Sequence, residues 1–225
     1  MPSQLLSLLL FLTLLLTLII ISELLHRYWK FPAEQSRKFL HVTGGLMCLL
    51  FPTFFQSHWW MLALTGVSFL LLLTTYLIKL LPSVHQTKRK TIGSVLFPIP
   101  VYCCFFIAKQ QHNDLLYYIP ISLLTISDTA AEIAGTKWGH HTKSFFNKQK
   151  TLAGAIAFAT TAVIVCFTWL TIFHYPLTTA LYTCVLIALL TAITESLTLY
   201  GWDNLTVPAV AIGILLFILK WHRIP

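Results

Sequence analysis

Charge is what this sequence has least of: only 10% of its 225 residues are charged, against roughly 25% in ordinary soluble domains. With 57% of residues apolar, a water-soluble fold of this length has too little polar surface to cover its core. No polar stretch is long enough to form a separate soluble domain, so residues 1–225 read as one membrane-embedded unit. A cysteine framework is also missing. Cys48, Cys103, Cys104, Cys166 and Cys184 lie inside apolar runs with no C-x-x-C spacing. That argues against disulfides or a zinc site and for small buried apolar side chains. The leading run has no basic residue before it and no A-x-A pattern after it, so it reads as a retained first span, not a removable signal. Nucleic-acid binding is excluded, because no soluble domain displays the net charge of +8 as a face.

What is abundant is apolar sequence in the lengths that a hydrocarbon core ~30 Å thick requires, about 20 residues at a time. Spans are expected at 5–25, 42–55, 59–80, 92–108, 115–134, 153–173, 177–199 and 205–221, the second of them short. The expected architecture is all-α, a polytopic bundle of about eight transmembrane helices. Arg27, Lys30, Arg37 and Lys38 fall in the first connection. Lys79, Lys88, Arg89 and Lys90 fall in the third, and Lys137, Lys143, Lys148 and Lys150 in the fifth. These are twelve of the 15 basic residues, all in odd-numbered connections. The positive-inside rule puts those connections in the cytosol and both termini outside. The same loops suit anionic lipid.

Four of the seven carboxylates stand where a solvated role does not suffice. Asp128 and Glu132 come near the inner end of the fifth span, four residues apart and so on one helical face. Glu195 comes near the inner end of the seventh span, and Asp203 in the turn after it. Acids in spans are costly and mark functional sites or ion paths. Four at one depth cannot all stay anionic unless cations join them. Magnesium is one such cation, since it takes carboxylates together with substrate phosphates; the same-side lysines and arginine are the other source. An ion- or proton-coupled transporter also uses buried acids, but near the midplane, whereas these gather at one face. Ala131, Gly135 and Gly139 recur every four residues, a pattern that permits close backbone approach. Thr191, Thr194, Glu195 and Thr198 form a polar stripe on one helix face.

Four segments in order carry a family resemblance: RKFLHVTGG at 37–45, GSVLFP at 93–98, SDTAAEIAGTKWGHHTKSFFNKQKTLAGAIAF at 127–158 and ESLTLYGWDNLTVP at 195–208. Together they resemble the CTP-dependent polyprenol kinases, the group of phytol, farnesol and dolichol kinases that is related to the phosphatidate cytidylyltransferases. The likeness covers about residues 37–208, and KTLAGA at 150–155 puts the phytol kinase branch nearest. Three positions depart from the family pattern. Ala153 stands where many members carry glutamate. Ser127 and Asp128 replace a Gly-Asp pair. Trp202, Asp203 and Asn204 replace an Asp-Asp-Asn turn, which removes one potential metal ligand.

The resemblance implies transfer of the γ-phosphoryl group of CTP to the hydroxyl of an isoprenoid alcohol dissolved in the bilayer, at the cytosolic face. Such chemistry needs metal-binding carboxylates, cations around the phosphates and a group that orients the hydroxyl. On that footing Asp128 is the first ligand for Mg2+, Glu195 and Asp203 are the next, and Glu132 is a helper. Lys150 is the main phosphate contact, beside Thr151 and Gly154 at the start of the sixth span, where helix amides favour anions. Lys143, Arg37, Lys38 and Asn204 are further nucleotide-binding candidates. His41, four residues after Arg37 on a helix starting near Pro32, is placed to accept the alcohol proton or to hydrogen-bond the nucleotide. Adjacent His140 and His141 point to opposite faces and make a poor metal site. Three rivals stay open: a phosphatidate cytidylyltransferase or diacylglycerol kinase-like enzyme, a small-solute or ion transporter, and a non-catalytic scaffold.

Overall fold

The computed structural model describes residues 3–85, 91–139 and 150–222, the last four by backbone alone. All regular structure among them is helical. In order these are α1 (Gln4–Arg27), α2 (Ala33–Cys48), α3 (Phe51–Phe54), α4 (His58–Leu77), α5 (Pro82–His85), α6 (Gly93–Leu96), α7 (Pro98–Gln110), α8 (Leu115–Ser122), α9 (Asp128–Trp138), α10 (Leu152–Ile172), α11 (Leu177–Leu197) and α12 (Asp203–His222). Local chemistry sets several starts. The hydroxyls of Ser3, Ser57 and Thr151 accept the N–H of Leu6, Trp59 and Gly154 at the heads of α1, α4 and α10. Proline opens others, because a residue with no N–H loses nothing in a first turn: Pro52 lies in the first turn of α3 and Pro98 in that of α7.

Each expected span has a helix, with differences that matter for the site. The second begins at Ala33, directly after Pro32, well before residue 42, so Arg37, Lys38 and His41 ride on it. It then breaks at Leu49 and Leu50, ahead of Pro52. The fourth is broken at Phe97, because Pro98 cannot donate into the ladder of α6. The fifth is one rod, 115–138, in which a π turn of five residues (Leu123–Ser127) links α8 to α9. Pro120 sits inside α8, one turn upstream, and removes an amide from the same ladder.

By length and composition five stretches are able to cross a membrane: Gln4–Arg27, His58–Leu77, Gly93–Gln110, Leu152–Ile172 and Leu177–Leu197. α12 contributes a shorter apolar helix, Asp203–Ile218. Their outward faces are as apolar as their inward ones. On α11, Leu181, Val185 and Leu189 are exposed while Cys184, Ile187 and Thr191 are buried, the pattern of a helix with protein on one side and acyl chains on the other. Four cysteines are buried as expected. Cys103 is the exception, exposed on α7.

Alternation is visible in how the connections pair. At one end of the bundle Ile92 N–H donates to Tyr200 O (3.0 Å), Lys150 meets Asp203, and Ser83 N–H donates to Glu23 (3.3 Å). These link the first, third, fifth and seventh connections. At the other end Gln4 Nε2 donates to Phe54 O and Asn113 Nδ2 to Tyr175 Oη (3.0 Å). Between the two ends lies a core that includes Tyr117, Phe105 and Phe158, all fully buried. The Tyr117 hydroxyl donates to Cys48 O (2.7 Å) and so satisfies a carbonyl orphaned at the end of α2.

Candidate active site

Three carboxylates arrive from three elements. Asp128 leaves the π turn as the first residue of α9, Glu195 sits in the last turn of α11, and Asp203 opens α12. One oxygen from each lies within 4.8 Å of the others. Lys150, just ahead of α10, reaches in from a fourth: its Nζ is 2.5 Å from Glu195 Oε1 and 2.9 Å from Asp203 Oδ2. Burial alone would lower the Lys150 pKa, but the charges of Asp203, Glu195 and Asp128 outweigh it. They hold the ammonium above its ordinary range, so it stays protonated. The donors are all hard carboxylate oxygens, and magnesium's octahedral shell spans ~4 Å between opposite oxygens. Asp128, Glu195 and Asp203 therefore fit that ion in chemistry and in spacing.

The backbone around this cluster is drawn tight by glycines. A Cβ on Gly135 or Gly139 would run into Thr151, and one on Gly154 would lie 3.0 Å from Ala131 O. The four-residue small stripe of α9 is thus the face that meets the head of α10, as its spacing suggested. Gly154 and Thr151 border the site, but the missing side chain of Gly154 serves the α9 contact, and the Thr151 hydroxyl caps α10. Gly201 has φ +90, a conformation that suits glycine, and its Cα lies against Gly93. Asn204 Nδ2 then donates to Gly93 O (2.8 Å). So Asn204, expected among nucleotide contacts, uses its amide to tie α12 to α6. The two facing glycines were not singled out from the sequence. The only signal was a Tyr-Gly-Trp-Asp turn.

Glu132 does not join the other acids. One turn beyond Asp128, it accepts from Arg37 (2.8 Å) and lies 3.5 Å from Lys38. Both cations read as phosphate contacts are therefore balanced by the acid read as a metal helper. His41 Nε2 lies 2.9 Å from Leu124 O, in the π turn, and 3.7 Å from Asp128 Oδ2. A carbonyl only accepts, so Nε2 carries the proton and Nδ1 is the accepting nitrogen. The hydroxyls of Thr191, Thr194 and Thr198 all donate to carbonyls of their own helix, so the stripe is not an interhelical network. Lys143, His140 and His141 lie outside the described residues.

A cavity of about 210 Å³ opens beside the cluster. Its polar end is lined by Arg37, His41, Asp128, Lys150, Glu195 and Asp203, its apolar end by Phe11, Met47, Phe51, Leu64 and Val101. A site that presents a buried cation and acids at one end and hydrocarbon at the other suits a substrate pair of opposite polarity.

Comparison with known proteins agrees. Residues 3–199 match the cytidylyltransferase family, a stretch that includes the first three motifs and the start of the fourth. The chain is 25% identical over 191 residues to the phytol kinase of Synechocystis sp., covering 84% of this chain and 82% of that protein. No solved structure matches it. Matched over nearly its whole length, the chain belongs to the cytidylyltransferase family, among its CTP-dependent prenol kinases.

Proposed function

We propose that this enzyme transfers the γ-phosphoryl group of CTP to the hydroxyl of an isoprenoid alcohol of the phytol or polyprenol class, at the cytosolic face of the membrane. The observation that carries the reading is the meeting of Lys150 with Asp128, Glu195 and Asp203 at the polar end of a cavity whose other end is apolar. A nucleotide triphosphate stays in water and a prenol stays in lipid. An enzyme that joins them needs cations and acids above and apolar walls below.

In this reading Asp128, Glu195 and Asp203 hold Mg2+, which when bound neutralises charge on the phosphoryl group. Lys150 and the first amides of α10 take phosphate oxygens. Arg37 and Lys38, restrained by Glu132, receive the remainder of the triphosphate, with Lys143 as a further contact. The alcohol oxygen bonds to the γ-phosphorus as the bond from that phosphorus to the β–γ bridging oxygen breaks, and CDP leaves. The hydroxyl proton passes to His41 Nδ1, the nitrogen left free by the Leu124 contact.

The family match itself favours a second reading, cytidylyl transfer to a lipid phosphate such as phosphatidate from the same site. Purified protein in lipid vesicles, given CTP labelled on the α- or the γ-phosphorus, separates the two. Label from γ in lipid is the expected result, and label from α establishes the rival. Substrate flux into the vesicles with no transfer would instead identify a transporter. Asp128→Asn should abolish transfer while leaving membrane insertion intact; near-normal activity in that variant overturns the metal-ligand assignment.

A further inference from the structure

We infer that the apolar end of the cavity holds a single hydrocarbon tail of the lipid substrate, and that Phe11 and Phe51 form a floor that limits the length of tail accepted. The inference deepens the prenol kinase reading and takes the chemistry of the tail from it. The cavity is continuous from Asp128 to this floor, with α2 running along it by way of His41, Gly44 and Cys48. At 1.5 Å per residue, His41 to Cys48 alone is about 10 Å of depth.

The deep walls are dry and without polar demand. Phe11, Phe51, Leu64 and Val101 are each 3% exposed or less. Two hydroxyls do line this stretch, on α4, but Thr65 donates to Met61 O (2.8 Å) and Ser68 to Leu64 O (2.7 Å). With both donors engaged within their own helix, the deep end is suited to a chain that carries no polar atom beyond its headgroup.

The floor is built, not incidental. Phe11 meets Phe51 edge to face (4.9 Å between centroids, 79°) and Phe54 likewise (5.2 Å, 84°), with fully buried Phe55 behind them. Gln4 then latches this cluster to the head of α1, donating to Phe54 O and accepting from Gln56 N–H, each at 3.2 Å. A tail entering from the polar end stops at a braced aromatic wall. The free space of about 210 Å³ suits one slender chain, not two acyl chains side by side.

Each methylene buried should tighten binding roughly four-fold until the floor is met, after which the gain ends. The test uses the full chain in lipid nanodiscs with geraniol, farnesol and geranylgeraniol, which differ by one isoprene unit. Binding is read by tryptophan quenching, and γ-label transfer is followed in parallel. Phe51→Ala and Phe11→Ala should move the length at which the gain ends to a longer prenol, changing the long-to-short preference about tenfold. Leu64→Phe, which fills the channel part-way, should move it to a shorter one. Leu189→Ala, on the exposed face of α11, should leave it where it was. A shift in opposite directions is not what a general loss of stability produces. Should the deepened variants not fold, the shortened profile of Leu64→Phe decides alone. Profiles of all variants that superimpose on the native one overturn the floor while leaving the kinase standing if γ-label still reaches lipid. A length limit that moves with the variants, in a protein that labels no prenol, keeps the floor and removes the kinase. Displacement of prenol by diacylglycerol as strong as by another prenol overturns the single-tail assignment.

Discussion

The Lys150 ammonium lies 2.9 Å from a carboxylate oxygen of Asp203, with the whole of α10 and α11 between them in sequence. The same nitrogen meets Glu195, whose side chain is only 5% exposed. A cation on which three helix ends converge holds charge that the fold would otherwise leave buried and unbalanced.

Lys150→Met should therefore lower stability by about 3–5 kcal/mol, the cost of breaking a buried pair from one side, and reduce transfer at least ~100-fold. Because the folded pKa of this lysine is raised above the ordinary 10.5, its contribution is complete below that value and is lost only as pH climbs through the folded pKa. The native melting temperature should then lose nothing on this lysine's account between neutral pH and about 10. Divalent cation should stabilise the variant more than the native protein, since the acids then lack their ammonium. Melting curves with and without Mg2+ check both points, and equal shifts in the two proteins would sink the arrangement.

His41→Gln keeps an N–H for Leu124 O but removes the accepting nitrogen. If His41 takes the alcohol proton, turnover should drop about 10²–10⁴-fold with an unchanged melting temperature, whereas His41→Ala should lose stability as well. Single-turnover transfer of γ-label, set beside thermal melts, makes the comparison. Wild-type turnover in the glutamine variant would leave His41 a purely structural residue.

Gly201→Ala tests the tight meeting of α6 with the turn before α12. A side chain at φ +90 costs about 1–3 kcal/mol in backbone strain alone, and here its Cβ would also overlap Gly93. Gly213, with open space around its own position, provides the contrast: alanine there should be neutral or should stabilise by up to ~1 kcal/mol. Melting in detergent measures the pair, and equal effects at the two glycines would contradict the close approach.

Sidedness is open to a direct assay. With Cys103 replaced by alanine, Gln35→Cys in the first connection and Gln56→Cys in the second, both at exposed positions, should react with an impermeant maleimide from opposite faces. The first is expected to label only from the cytosol. Labelling of both from one face would undo the alternation on which the inside-positive assignment depends.

Much of this was legible because charge is so rare here. Twelve basic residues confined to odd connections anticipated which loops would meet, and the depth of Asp128, Glu195 and Asp203 in their spans anticipated the cluster. Spacing stopped short at Glu132. Four residues from Asp128 means one helical face, but not which neighbour that face meets. Packing gave Glu132 to Arg37 on α2 and Asp128 to the helix ends around Lys150. The contact of Gly93 with Gly201 was hidden for the same reason, since more than a hundred residues separate partners that only the assembled bundle brings together. The π turn was invisible because Leu-Leu-Thr-Ile-Ser has no composition that distinguishes it from plain helix.

That turn makes the length of a segment matter as much as its letters. Residues 123–127 hold one more residue than an ordinary helix would fit there. Deleting any one of them would let the rod close into regular helix and rotate everything downstream by about 100°. Asp128 would swing out of line with Lys150, and outward-facing Ile126 would be carried toward the interior. A gap that spares every charged residue in the chain would thus disarm the enzyme as surely as losing the aspartate.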